Sequence, residues 1–292
     1  MFSKKIIVFG SQGFVGSNII NYYSTKKYKL IGIGRKSKLI KKKKLSKNHN
    51  TKIFENDFFD LNSLNKINFK QSTVIFSAIN GNEIKKNYVI KIKKLIEYLS
   101  NKNISNFILL SSISVYGNYN QSINENTPLN PINLYAKNCV IVEKTCKEIF
   151  IKNKINLSIL RIANIIGYPK KNLGLIEKIL LNNKKNLYSF SKTNLVRSYI
   201  FIDELIKLIN KIVSKNFEFE IFNVCNSNYI FSFKKLIAIL SKEKLINYKI
   251  NYDKEKNNIL KSMCEAKKIE NHYKFKNNFI RDINKLSKNM KI

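Results

Sequence analysis

The sequence predicts an α/β fold, a doubly wound parallel sheet followed by a smaller C-terminal lobe. Three observations carry this. Short β-rich runs alternate with helical patterns through the first half. The helical stretches are long enough to cross over between parallel strands. A glycine-rich turn joins the first strand to the first helix.

The strand-like runs are 5–10 (KIIVFG), 29–34 (KLIGIG), 72–78 (STVIFSA), 106–112 (NFILLSS) and 157–163 (LSILRIA). Helical stretches occupy 14–27, 83–102 and 135–154. In the second of these, Ile84, Tyr88, Ile92, Leu95, Ile96 and Leu99 recur at helical spacing. Past residue 167 the regularity loosens, with a helix near 173–183 and a strand at 187–190. A helix at 200–213 and a buried strand at 219–225 follow. The tail from 230 is rich in lysine and asparagine, and 231–240 is its one clear helix. The division expected is a first domain over 1–167 and a lobe over 168–292, with segments around 199–225 returning to the sheet.

A chain of 292 residues, 44% of them hydrophobic, can bury a sizeable core. The net charge of +35 invites a nucleic-acid reading, yet only four basic residues are arginine (Arg35, Arg161, Arg197, Arg281). The lysines spread over the whole length, and the densest run, 38–47, reads as a solvated loop. Neither a nucleic-acid nor a membrane partner is expected. No apolar run approaches the roughly 20 residues that span a bilayer, and MFSKKIIVFG reads as a first strand, so a cytoplasmic protein is expected. Cys139, Cys146, Cys225 and Cys264 lie far apart and suit a reducing compartment. His49 and His272 have no ligand-spaced partners, so no metal site is expected.

The turn reads Gly10-Ser-Gln12-Gly13-Phe14-Val15-Gly16. A tight turn needs glycine, a pyrophosphate needs bare backbone, and a helix packed close to a strand needs a small residue. The helix N-terminus then offers its N–H groups to phosphate. Between a first strand and a first helix this is the dinucleotide-binding (Rossmann) arrangement. NAD enzymes of this kind end the second strand on an acid that holds the ribose 2′-hydroxyl. Here that strand ends Gly34-Arg35-Lys36, two cations that suit a 2′-phosphate. NADP is therefore the expected cofactor, with NAD as the alternative.

With these residues in place, the chain resembles the extended short-chain dehydrogenase/reductase family, the nucleotide-sugar epimerases, dehydratases and ketoreductases. Seven further segments match in order along nearly the whole length. ENDFFD (55–60) resembles the adenine-contacting segment, which implies Asp57 on the adenine amino group and Phe58 beside the ring. VIFSAI (74–79) is similar to the stretch lining cofactor phosphates and nicotinamide, with Ala78 and Ile79 in those places, and Asn87 falls where the family has a helix asparagine. ILLSSISVYG (108–117) maps the catalytic serine onto Ser112. NPINLYAKNCVIVE (130–143) maps the catalytic tyrosine onto Tyr135, which the resemblance also places against the cofactor, with Asn130, Pro131 and Glu143 also matching. LRIANIIG (160–167) and RSYIFIDEL (197–205) imply a sugar-nucleotide diphosphate held by Asn164 and Arg197, and FNVCN (222–226) also fits.

One departure stands out. The family carries a lysine four residues after the tyrosine, which lowers the phenol's pKa and holds the nicotinamide ribose. Here that place is Cys139. Lys137 is no substitute, because two residues along a helix rotate about 200°. Three readings follow. Tyr135 acts as the acid in a ketone reduction; or the oxidised nicotinamide and the helix N-terminus replace part of lysine's field; or catalysis is much reduced. Ile113 and Ser114 stand where the 4,6-dehydratases carry an acidic pair, which disfavours dehydration. The resemblance thus implies an NAD(P)-dependent nucleotide-sugar 4-ketoreductase or 4-epimerase, a cytoplasmic homodimer serving polysaccharide biosynthesis. The alternative is a catalytically weakened dinucleotide-binding protein, a sensor or an assembly factor.

Overall fold

The computed structural model describes residues 5–35, 50–79, 81, 86–119, 121–168, 173–181, 187–190, 196–246, 249–252 and 261–290. Lys36, the lysine run 38–47, His49, Ile84 and the end of the helix expected near 173–183 lie outside them.

The first half runs β1 (Lys5–Phe9), α1 (Phe14–Tyr23), β2 (Lys29–Ile33), β3 (Thr51–Phe54), α2 (Leu61–Leu64), β4 (Ser72–Phe76), α3 (Lys86–Ser100) and β5 (Asn106–Ser112). A 3-10 turn (Ile113–Tyr116), α4 (Leu134–Lys152) and β6 (Asn156–Ile162) follow. The rest runs β7 (Asn164–Ile166), α5 (Leu175–Leu181), β8 (Leu187–Phe190), β9 (Val196–Phe201), α6 (Ile202–Val213), β10 (Phe219–Val224) and β11 (Ile230–Ser232). It ends with α7 (Phe233–Lys242), β12 (Lys249–Tyr252), β13 (Lys261–Ser262), α8 (Lys267–Glu270) and α9 (Phe279–Asn289).

The doubly wound sheet expected from the alternation forms. Seven strands lie in the order β10-β6-β5-β4-β1-β2-β3. β1 pairs in parallel with both β2 and β4, and β2–β3 and β4–β5 are parallel too. Ile6–Phe9 and Val74–Phe76 have no exposed surface, as strands covered on both faces require.

The chain divides into two compact units. The first takes residues 1–115, 131–161 and 206–222; the second takes 116–130, 162–205 and 223–292. In the first, rings of Phe9, Phe76, Phe107 and Phe150 pack in sequence through the core. In the second, Tyr199, Phe201, Tyr229, Phe231 and Phe279 form a separate aromatic cluster. It packs on a small sheet ordered β11-β9-β13, with β7 alongside β9.

Two expectations are corrected. Residues 200–201 are strand, not helix: Ile200 and Phe201 pair with Ile165 and Ile166, and the helix begins only at Ile202, with Asp203 and Glu204 in its first turn. The tail holds a second long helix, α9. Phe279, Ile283 and Leu286 recur at i, i+4 and i+7 and are buried, a periodicity that the surrounding Lys and Asn obscure.

Candidate active site

Gly10 leaves β1 with φ +74, a conformation glycine adopts without strain. Its N–H and that of Ser11 both donate to Ile33 O, at 2.9 and 3.1 Å. A Cβ on Gly10 would lie 2.7 Å from Ser77 O, and one on Gly16 2.2 Å from Gly10 O. A Cβ on Gly13 would meet only Gly10 O, at 3.3 Å. The first and third glycines therefore answer to the protein's own packing, while the second keeps the outer face of the turn bare. Gly13 also caps α1 without a side-chain hydrogen bond, and no acid lies in the first turn. A ten-residue helix that starts uncapped and free of negative charge fits a pyrophosphate. Phe14 and Val15 flank this end half-buried, and Gln12 is buried, its Nε2 donating to Gly34 O at 3.4 Å.

Arg35 is exposed just beyond β2. Asp57 accepts the Phe59 N–H on Oδ1 at 3.0 Å, so part of its carboxylate is spent on its own turn. Phe58 sets its ring edge-on to Phe9 and Phe76, 6.0 and 5.9 Å between centroids. Ala78 and Ile79 are half-buried against the same core. Just before them, Ser77 donates its hydroxyl to Phe9 O at 2.7 Å and pins the end of β4 to the glycine turn.

Tyr135 is the second residue of α4, whose N-cap Asn133 accepts the Ala136 N–H at 2.9 Å. Tyr135, Cys139 and Glu143, each four residues apart, share one helix face. The tyrosine is 37% exposed overall, with its ring beside Gly81, but its hydroxyl is the desolvated end and hydrogen-bonds the Cys139 thiol. Burial first, then Cys139 and Tyr88, push the phenol's pKa above the ordinary 10.0. Among the described residues, no cation acts on it. Cys139 has no exposed surface, and burial above all pushes its thiol up to about 12. Lys137 is exposed on another face, as its spacing requires.

One turn further, buried Glu143 receives Arg161 through Nη2 at 2.8 Å and Nε at 3.2 Å. It also accepts the Ser111 hydroxyl, and Ser111 is in hydrogen-bond contact with the Cys139 thiol as well. The end of β5 is thus held to the Tyr135 face of α4. Ser112, the next residue, is half-buried and receives two donors from Ser114: the hydroxyl at 2.9 Å and the backbone N–H at 3.2 Å.

In the second unit, β7 and β9 are parallel with Asn164 opposite Tyr199. Arg197, two residues before Tyr199, lies on that same face. Asn164 is exposed and donates to Ser198 O at 3.1 Å; Arg197 is half-buried. Tyr199 is pushed up to about 12 mainly by burial, against the opposing pull of Arg197.

Sequence reasoning missed Ser77, Ser111 and Ser114. Their hydroxyls act through contacts across the fold or around a turn, and a serine carries no periodicity that betrays such a contact. The Glu143–Arg161 pair left one usable signal: an arginine inside an apolar strand run demands a buried partner.

A bare glycine turn beneath an uncapped helix, with a tyrosine and a serine held at the ends of α4 and β5, defines a protein of the dinucleotide-binding α/β class. The chain belongs to the NAD dependent epimerase/dehydratase family, whose model matches residues 6–225. It is 28% identical over 288 residues to a dTDP-D-glucose 4,6-dehydratase of Dictyostelium discoideum, covering 86% of this chain and 63% of that one. The chain thus spans less than two thirds of that relative's length. It is 26% identical over 238 residues to a protein named as a UDP-glucose 4-epimerase of Methanocaldococcus jannaschii, covering 75% and 76%. The fold matches UDP-glucuronic acid 4-epimerase from Bacillus cereus, solved with UDP-glucuronic acid and NAD, at TM-score 0.81 and 18% identity over 98% and 99% of the chains.

Proposed function

We propose that the protein is a nucleotide-sugar 4-ketoreductase, with Tyr135 as proton donor and Ser112 as hydrogen-bond donor to the reacting oxygen. The observation that carries this is the state of Tyr135. Burial, the Cys139 thiol and Tyr88 all raise its pKa, so the phenol stays neutral. A neutral phenol can give a proton to a carbonyl oxygen being reduced. A 4-epimerase needs the tyrosine to begin by taking the sugar's hydroxyl proton, which a phenol held so high does poorly. Dehydration needs acid–base groups beside the serine, and Ile113 and Ser114 are neither. This disfavours the activity named for the Dictyostelium relative.

A reduced nicotinamide dinucleotide, with its pyrophosphate at the glycine turn, would supply the hydride. Gly10, Gln12, Gly13, Phe14, Val15 and Gly16 would hold its pyrophosphate, Asp57 and Phe58 its adenine, and Ala78 and Ile79 the stretch towards the nicotinamide. Arg35 favours NADP, though the Bacillus cereus neighbour binds NAD. Asn164 and Arg197, on one face of the small sheet, suit the diphosphate of a nucleotide sugar. The same reading makes the protein a cytoplasmic homodimer in activated-sugar synthesis. Exposed Ile90 and Ile151 on the packed helices α3 and α4 suit the dimer face.

A second reading, dinucleotide binding without turnover, draws on the neutral thiol in the lysine's place. Purified protein mixed with NADPH and a panel of nucleotide 4-keto-sugars separates the two. Loss of NADPH absorbance with one of them supports the ketoreductase. Tight NADPH binding with no turnover supports the second reading, and absence of binding to either dinucleotide sinks both.

A further inference from the structure

Ser112 Oγ has one proton to give and two lone pairs to fill. Both lone pairs are engaged by the same residue: Ser114 donates its hydroxyl at 2.9 Å and its backbone N–H at 3.2 Å. The 3-10 turn that begins at Ile113 enforces this, because it folds the chain back over the end of β5 within two residues. Ser114 is half-buried, which limits competition from water for the contact.

We propose that Ser114 is a positioning residue that makes Ser112 a one-way donor and thereby selects a carbonyl oxygen over a carbinol at the reacting carbon. The proposal rests on the ketoreductase reading and names the form of substrate the site accepts. With its acceptor side filled, Ser112 can only donate. A carbonyl oxygen has two lone pairs, which the hydroxyls of Ser112 and Tyr135 can fill together. A sugar hydroxyl carries a proton of its own, and Ser112 offers that proton no acceptor. A site preset this way gains most when negative charge develops on the oxygen, because its donors need not reorient.

A mutant cycle on kcat for keto-sugar reduction tests this. Ser112→Ala is expected to lower kcat about 100-fold, the effect of losing one donor to a developing oxyanion. Ser114→Ala is expected to lower it about 3- to 10-fold, the loss of one orienting hydrogen bond. KM, NADPH affinity and melting temperature should change little, and Ser114→Thr should restore most of the rate. The double variant should be no slower than Ser112→Ala alone, since Ser114 acts only through Ser112. Losses that multiply in the double variant would overturn the proposal and leave the ketoreductase reading standing. A faster Ser114→Ala enzyme would also overturn it, because Ser114 would then be holding the Ser112 proton away. A wild type that binds NADPH yet turns over no keto-sugar removes the ketoreductase reading, and this proposal falls with it.

Discussion

The turn before α1 and the Tyr135 face of α4 are both expected to serve the same reaction, yet they are built on different materials. At the turn, the function lies in backbone: three glycines, an uncapped helix end and no charged side chain. On α4 it lies in side chains, stacked as Tyr135, Cys139 and Glu143 along one face. A backbone device is kept whole by its own packing, since a Cβ at Gly16 would strike Gly10 O at 2.2 Å. A side-chain device can lose one member while the helix stays intact. That is how a cysteine can stand in the lysine's place with its fold unharmed.

The largest break expected falls on the acid. Tyr135→Phe should lower kcat about 100- to 10,000-fold, the usual worth of a general acid, with NADPH affinity within twofold of wild type. A slower NADPH-dependent rate alongside weakened binding would put Tyr135 in the cofactor's grip instead. Next comes the base of the column. Glu143→Gln leaves the Arg161 guanidinium buried without its counter-charge and should cost about 3 kcal/mol of stability, read by denaturant unfolding. At the turn, Gly16→Ala should cost about 1–3 kcal/mol and abolish dinucleotide binding while leaving the α4 column in place. Retained binding would show that the turn can relax and that the comparison is drawn too sharply.

The smallest effect concerns Cys139 and pH. Its thiol is held at about 12 against an ordinary 9.0. Between those values the unfolded chain loses this proton and the folded chain keeps it, so its contribution to stability is present below about pH 9 and fades as pH rises towards 12. Cys139→Ser should flatten that decline. Cys139→Lys puts a cation beside the phenol and makes it a stronger acid, so turnover should rise about two- to fivefold, less than the roughly tenfold that a full pKa unit represents. Unchanged turnover would mean that the missing lysine does not limit the rate.

The glycine turn and the tyrosine helix were legible because each is a local device with a fixed spacing. The strand and helix alternation was legible for the same reason, through its periodicity. The switch from β9 to α6 was not, since Tyr199–Phe201 is as apolar as the helix that follows, and only pairing with β7 decides it. α9 was hidden by its lysines and asparagines, although its buried face repeats regularly. The membership of 116–130 in the second unit was equally out of reach. It depends on contacts such as Glu125 accepting the Asn223 N–H at 2.7 Å, across 98 residues of chain.

By itself the sequence determined the sheet, the bare glycine turn, the tyrosine and serine proposed for the site, and the cysteine four residues after that tyrosine. These are properties of short segments, where spacing along the chain equals spacing in space. Only the tertiary structure decided what the missing lysine leaves behind. Cys139 is wholly buried, hydrogen-bonded to a phenol whose pKa no cation among the described residues lowers, and tied through Ser111 to the Glu143–Arg161 pair. The protonation state of a side chain is set by the dielectric and charges around it, and those come from residues far away in the chain.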